Sequence, residues 1–449
     1  MSQTNQNEQG GQVNFGTLST HAQNQLSLQT KPTAVKNKRG QIEPTQLVGI
    51  DIGTSKIVVM IANMDDQGNV QVCGIGQQSS AGCLKKGMVI DMNATMVAIQ
   101  SALKEAELMS DTTVTRVWTG VAGSHIRSIN TEGMVAVRDR EVSQQDIARV
   151  LETARAVQIP NDQQVLHVLA QEYKVDDQAG VKDPINMAGM RLQVRVHIVT
   201  GGVTAISNIV KCVTRCGLET ADVILQPLAS SHAVLTADEK DLGVVMVDIG
   251  GGTTDIAIFT GGAIRYTAVL PIAGDQITND IAIALRTPTL DADDIKLRYA
   301  VAKQNLVDPL ERIEVPGLGD RQPRMMSRQS LASVVEPRVS ELFGLVNQVV
   351  ANSGYAHLVG AGYVLTGGTA IMPGMLELAE DVFGSSVRIG SPLYFGALQE
   401  QVQNPRFATV IGLLHEARKA TLEGGGTPVK GNHVGQILGK MKNWFGSSF

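Results

Sequence analysis

Two stretches of the chain repeat one pattern: LVGIDIGTSKIVVMIA, Leu47 to Ala62, and VVMVDIGGGTTDIAIF, Val244 to Phe259. Each reads as an apolar strand, Asp-Ile-Gly, a small-residue turn and a second apolar strand. Glycine at a strand end has no Cβ, so backbone N–H groups there approach an anion closely. Neighbouring Thr or Ser adds hydroxyl donors. An Asp at the strand tip repels phosphate unless a divalent cation stands between them, and Mg²⁺ suits that place, held partly through water by one or two carboxylates. Two such hairpins on facing domains would grip one polyphosphate from both sides, with Asp51 and Asp248 on the metal side. A third element, VLTGGTAIMPGM, joins a strand to a helix through Gly367 and Gly368, where exposed N–H groups favour an anion or a closely packed base. No GxxxxGK[ST] occurs, so this is not a P-loop. One such turn alone is an ordinary tight β-hairpin; the ordered triple carries the reading.

The elements that must position these residues follow from patterning. With 449 residues, 43% hydrophobic and 18% charged, the chain has the composition of a soluble globular protein with two or more domains. A net charge of -5 and 4% aromatics give no reason to bind nucleic acid. The four cysteines, Cys73, Cys83, Cys212 and Cys216, make no disulfide framework, and Cys212 and Cys216 lack partners to complete a zinc site. Reduced thiols in a cytoplasmic protein are expected. The first residues have neither the basic start nor the apolar stretch of a signal peptide, and no run reaches the roughly 18 apolar residues of a spanning helix. If this chain meets a membrane, it lies on it.

Residues 1–46 are rich in Gln, Asn, Ser and Thr with a basic cluster at Lys31, Lys36, Lys38 and Arg39, and read as a disordered extension. From Leu47 strands and helices alternate in an α/β pattern. The helix MVAIQSALKEAELMS and the strand VTRVWTGVAG lead into a compact insert, Ala122 to Thr200. The insert holds a helix N-capped by Ser143 and two strand-like stretches. The pattern resumes with a helix ending at Gly217 as its C′ residue. Later come the helical stretch LDADDIKLRYAVAK, a polar loop and the helix VVEPRVSELFGLVNQVV. The fold is expected to close near Lys419, with a flexible linker after it.

These motifs resemble the actin, Hsp70 and sugar-kinase ATPase superfamily: DIGTSK its first phosphate motif, DIGGGTTD the second, LTGGTAIMPG the adenosine motif and QPLASSHAVL the first connecting helix. Within it the chain is most similar to the FtsA family of actin-like bacterial cell-division proteins, from Leu47 to Phe449. The stretches GSHIRSINTEGMV to MRLQVRVHIVT and IEVPGLGDRQPRMMSRQSLASVVEPRVSEL resemble that family's own subdomains, while the long polar start departs from its usual short one. The resemblance implies an actin-like two-domain α/β fold: subdomain 1A at 47–121, 201–232 and 401–420, inserted subdomain 1C at 122–200, 2A at 233–263 and 344–400, and 2B at 264–343. A linker at 421–433 and an amphipathic helix at 434–449 would follow.

It further implies ATP with Mg²⁺ in the cleft, contacted by Gly53, Thr54, Ser55, Lys56, Gly250, Gly251, Gly252, Thr253, Gly274, Gly367 and Gly368. Asp293 would face the ribose and Lys296 the base, with Asp275 beside Gly274 in the preceding turn. Gln226, with Asp255, would position the attacking water; Gln orients water but cannot take its proton. Tight binding with slow or no turnover is therefore expected, the nucleotide acting mainly as a latch between domains.

At the end of the chain, Val434, Ile437, Leu438, Met441, Trp444 and Phe445 fall on one stripe of a helix, with Lys440 and Lys442 off its centre. Gly435 and Gly439 weaken that helix in water. The stripe suits a membrane surface, held marginally by one copy and avidly by a filament. By resemblance the FtsZ C-terminal peptide would dock near Arg324, Arg338 and Glu341, and the insert would face neighbouring subunits or later division proteins. The rivals are a small-molecule kinase, which needs a further catalytic carboxylate, an Hsp70-like chaperone, which needs more chain, and a pilus-assembly actin-like protein without the lipid-binding stripe.

Overall fold

The computed structural model describes residues 45–423. The chain opens with β1 (Thr45–Ile52), β2 (Lys56–Met64), β3 (Val70–Ser79), the short β4 (Leu84–Lys85) and β5 (Met88–Val89), α1 (Met92–Ser110) and β6 (Arg116–Val121). An excursion follows through β7 (Arg127–Ala136), α2 (Gln144–Arg155), β8 (Gln163–Val175), β9 (Gln178–Val181) and β10 (Arg191–Gly202). α3 (Val203–Arg215) and β11 (Glu219–Leu225) return to the first sheet, whose order is β11-β6-β1-β2-β3. β1 is buried almost end to end because helices cover both faces. Val48, Ile50, Val59 and Ile61 face α1 and α3. Leu47, Val58 and Met60 face the opposite side.

α4 (Gln226–Val234) and α5 (Ala237–Leu242) cross to the second lobe. There β12 (Val244–Ile249), β13 (Thr254–Thr260) and β14 (Ala263–Leu270) form an antiparallel run. α6 (Gly274–Leu285), α7 (Thr289–Tyr299), the hairpin β15 (Arg312–Val315) and β16 (Arg324–Ser327), and the long α8 (Arg328–Asn352) follow. β17 (Tyr363–Thr366), α9 (Met375–Phe383) and β18 (Val387–Ile389) complete the sheet in the order β14-β13-β12-β17-β18. Read from β3, the first sheet has the same plan: an antiparallel three-strand run, then two parallel strands. The doubled hairpin is therefore the visible end of a doubled sheet. The short α10 (Gln399–Val402) and α11 (Ala408–Leu422) bring the chain back, and α11 lays Val410, Leu413 and Leu414 under β1 in the first lobe's core.

The excursion folds on its own core. Its four strands run β7-β10-β8-β9, all antiparallel, and α2 covers one face with Ile147, Val150 and Leu151. Ser143 caps α2 through a reciprocal box with Asp146. Gly133 lies under α2, where a methyl group would come 2.3 Å from Val150 O. Gly217, with φ of +85°, follows α3 in the left-handed conformation expected of a C′ residue.

Some boundaries move. The polar loop before the last long helix contains the β15–β16 hairpin, and α8 starts at Arg328 with Ser327 as cap, taking Pro337 into its interior. Pro337 and Ser333, the residue four before it, are both exposed, so the carbonyl freed by the missing N–H lies on the solvent side. α11 runs to Leu422, past the expected end near Lys419. The four cysteines are free thiols, and no helix among the described residues is long and apolar enough to cross a membrane.

Candidate functional site

The two repeated turns close alike: Gly53 N–H donates to Lys56 O at 3.0 Å and Gly250 N–H to Thr253 O at 3.0 Å. They also meet each other. A methyl group at Gly251 would fall 1.7 Å from Ser55 Oγ, and one at Gly252 would fall 2.6 Å from Thr54 Oγ1. A side chain there would displace those hydroxyls, so with glycine the second turn presents bare backbone to the hydroxyls of the first. Thr54 Oγ1 also accepts from Gly87 N–H at 3.3 Å, which ties the β4–β5 turn to the same place.

Asp51 and Asp248 end equivalent strands, and both are buried. Asp51 accepts from Gln226 Nε2 at 2.8 Å; Gly120 leaves the room, since a methyl group there would sit 2.9 Å from Gln226 Cγ. Asp248 accepts from Ser230 Oγ at 2.6 Å and Thr409 Oγ1 at 3.4 Å. Asp255 lies opposite Asp248 in register and accepts from Thr253 Oγ1 at 3.2 Å, while its Oδ1 is buried without a partner. Burial raises Asp51 to about 6, with Lys56 opposing and Asp248 adding to the rise. Burial likewise raises Asp248, and it raises Asp255 well above the carboxylate range, with Asp248 contributing. Lys56 falls to about 7 through burial and the nearby Arg406. Its Nζ donates to Arg406 O at 2.6 Å and lies 4.9 Å from the Phe407 ring centre. Lys56 is thus turned toward the segment before α11.

The third element closes on the second turn. Thr369 Oγ1 donates to Gly250 O at 2.7 Å and Asp275 N–H to Gly251 O at 2.7 Å, so Gly274 and the start of α6 abut it. Gly367 has φ of +89°, and a methyl group there would fall 2.4 Å from Asp248 Oδ1. The structure thus brings together Asp51, Gly53, Thr54, Ser55, Asp248, Gly250, Gly251, Gly252, Thr253, Asp255, Gly274, Gly367, Gly368 and Gln226. Asp293 and Lys296 lie one step away and are tied to each other: Lys296 Nζ donates to Asp293 Oδ1 at 2.6 Å and to Thr278 Oγ1 at 2.6 Å.

Among the described residues no group of three His, Cys, Asp or Glu side chains is arranged to hold a metal ion, these carboxylates included. The donor set nonetheless fits a hydrated divalent cation with a polyphosphate. It combines buried carboxylates raised by burial, an orphaned Asp255 oxygen and a glycine cradle in which a methyl group at Gly251, Gly252, Gly274 or Gly367 would crowd its neighbours. Ser230, Thr369 and Thr409 were not foreseen. Ser230 and Thr369 lie within the quoted stretches QPLASSHAVL and VLTGGTAIMPGM but were given no role there, and Thr409 is a lone hydroxyl in an apolar run.

Arg338 and Glu341 lie together on α8, but Arg338 is clamped by Asp280 of α6 through two nitrogens and also paired with Glu341. Arg324 donates to the carbonyl of Leu285 at the end of α6. Its charge serves a helix C-terminus. Beside Arg338 a hollow of about 290 Å³ is lined by Asp280, Ile283, Ala284, Val334 and Pro337, with Ile283 strongly exposed. The expected stripe, Val434, Ile437, Leu438, Lys440, Met441, Lys442, Trp444 and Phe445, lies outside the described residues, as does nearly all of the N-terminal extension.

Two family models match the chain: "Cell division protein FtsA" over residues 245–412 and "SHS2 domain inserted in FTSA" over 123–200. Proteins named cell division protein FtsA are similar over most of their length. The relative from Pseudomonas aeruginosa is 52% identical over 90% of this chain and 98% of its own. Those from Neisseria meningitidis and Escherichia coli K12 are 47% and 41% identical, each covered to 98%. Among solved structures, a chain of the PilM–PilN type IV pilus biogenesis complex matches with a TM-score of 0.62 at 17% identity, over 84% of this chain and 99% of that one. MreB5 of Spiroplasma citri bound to ADP matches with a TM-score of 0.52 at 14% identity, over 85% and 99%. These likenesses show an actin-like fold.

Proposed function

The chain belongs to the FtsA family of cell division proteins, and from that premise we propose an ATP-binding, actin-like scaffold that polymerises on the inner face of the cytoplasmic membrane. In this reading it tethers the FtsZ ring and recruits later division proteins through the inserted subdomain. The observation that carries it is the apposition of the two turns over Asp51, Asp248 and Asp255. The turns donate backbone N–H groups and hydroxyls to phosphate oxygens. Asp51 and Asp248 would hold Mg²⁺ partly through water. Bound Mg²⁺ and ATP supply the charge that joins the lobes. Gln226 spends its amide N–H on Asp51, which leaves its carbonyl oxygen to orient a water molecule, and an amide cannot itself take the proton. Slow or absent turnover fits that arrangement.

The hollow between α6 and α8 supports docking of the FtsZ peptide. Ile283, Val334 and Pro337 supply apolar area, and an acidic peptide would compete with Asp280 and Glu341 for Arg338. Identity several times higher to division proteins than to the pilus protein favours this reading over its pilus-assembly rival.

The nucleotide half is tested by thermal melting with ATP, with and without Mg²⁺. The intact protein is expected to melt higher with both together, and Asp248→Asn to lose the Mg²⁺-dependent part of the rise. A melting temperature indifferent to ATP and Mg²⁺ would overturn the reading.

A further inference from the structure

The inserted subdomain leaves the first lobe after β6 and returns to it at α3, yet its far side rests on the second lobe. The contact is along β14, the edge strand of the second sheet. Near the root it is apolar: Leu169 and Val199 share a core with Ile264. Beyond that it is a polar network centred on Asn130. Asn130 Oδ1 faces His197 Nδ1 at 2.7 Å and accepts from Gln171 Nε2 at 3.2 Å, and its Nδ2 donates to Arg265 O at 3.0 Å. Since that oxygen only accepts, His197 carries its proton on Nδ1, and Nε2 at 3.0 Å accepts from the Thr267 hydroxyl. Gln171 also donates to Ile264 O at 2.9 Å and Ser128 Oγ to Thr267 O at 3.1 Å. Glu172 lies 3.9 Å from Arg265 and 3.3 Å from Arg195, and Lys182 pairs with Asp241 of α5 at 3.4 Å. The open edge of the second sheet is thus capped by amides and hydroxyls of a subdomain that belongs to the first.

We propose that this network is a latch by which the inserted subdomain senses closure of the two lobes on nucleotide. The proposal rests on the nucleotide reading above. The subdomain has its own apolar core, which makes it a body that can shift as a unit. At one connection Gly123 has φ of +138°, and at the other Gly202 is the residue where β10 ends and α3 begins. Neutral hydrogen bonds and exposed ion pairs each contribute little net, so the polar part of the latch is of a strength that lobe movement can make or break. Because it spans the same two lobes as the nucleotide, each favours the other: ATP tightens the latch, and an intact latch raises ATP affinity by the same factor.

The test uses the full chain and Asn130→Ala, which removes the hub at an exposed position. Gln171→Ala serves as a second variant, and melting and circular dichroism establish that each is folded. Hydrogen exchange is read in the β14 segment 263–270, with and without ATP and Mg²⁺, alongside ATP affinity by calorimetry. The expected result is slower β14 exchange in the intact protein on adding ATP, loss of that response in both variants, and ATP binding weakened roughly fivefold. ATP affinity equal in variants and intact protein, or β14 exchange indifferent to ATP while ATP binds, overturns the latch alone. No ATP binding by the intact protein overturns the nucleotide reading, and the coupling with it.

Discussion

Asp51 and Asp248 occupy matching strand ends, yet their surroundings differ: one accepts a side-chain amide, the other two hydroxyls. The turns and both carboxylates were legible because they sit within a few residues of each other in a repeated string. Ser230 and Thr409 were not, because only the crossing of α4 and α11 brings them to Asp248. Lys56 reads as a phosphate ligand by its place in DIGTSK, but the fold offers it the Arg406 carbonyl and the Phe407 ring. His197 makes the clearest pH prediction. Burial lowers it to about 4 from an ordinary 6.5. The unfolded chain therefore takes the proton first, and the stability present above pH 6.5 is lost as pH falls through 4. Asp51, raised to about 6, has the opposite sign, favouring the fold as pH falls, so the comparison must be made against a variant in which Asp51 is unchanged. Urea unfolding at pH 7 and pH 4.5 should show His197→Gln losing less stability than the intact protein between the two, by up to roughly 2–3 kcal/mol. Equal losses would show that His197 protonates freely in the fold.

The helices that join the lobes cross at a contact only glycine permits. A methyl group at Gly412 of α11 would lie 1.8 Å from Ala229 O of α4, so Gly412→Ala must push the helices apart just beneath Asp248. Overpacking of this kind costs about 1–3 kcal/mol, and denaturant unfolding should show it with little change in the slope against denaturant. A loss below about 0.5 kcal/mol would mean the crossing is loose. Helices with clear periodicity, such as α1 to α3, were legible in the sequence. α8 begins at Arg328, before the Val334 from which the sequence reads as helix, and Pro337 within it is tolerated on a solvent-facing side. The β15–β16 hairpin was hidden because Arg312–Val315 alternates over only four residues and its partner Arg324–Ser327 does not alternate.

At the scale of the whole molecule, the doubling seen in two short strings extends to two sheets of one topology. The docking of the insert on β14 had no sequence signature, since its hydrogen bonds join residues far apart in the chain, such as Gln171 and Ile264. A cut after Glu423 leaves α11 whole and removes the terminal stripe with most of the expected linker before it. With ATP and anionic liposomes, the full chain is expected to pellet with lipid and the shortened chain to stay in solution while keeping its ATP-dependent rise in melting temperature. Co-sedimentation of both would remove the stripe as anchor. Where α11 sits has a consequence for biosynthesis. The first strands of the fold wait for a helix made nearly 360 residues later, since Val410, Leu413 and Leu414 form the floor under β1. On the ribosome the first lobe cannot be completed until α11 has emerged. Chains that stop early are left with an open apolar groove under β1, a ready mark for chaperones and proteases.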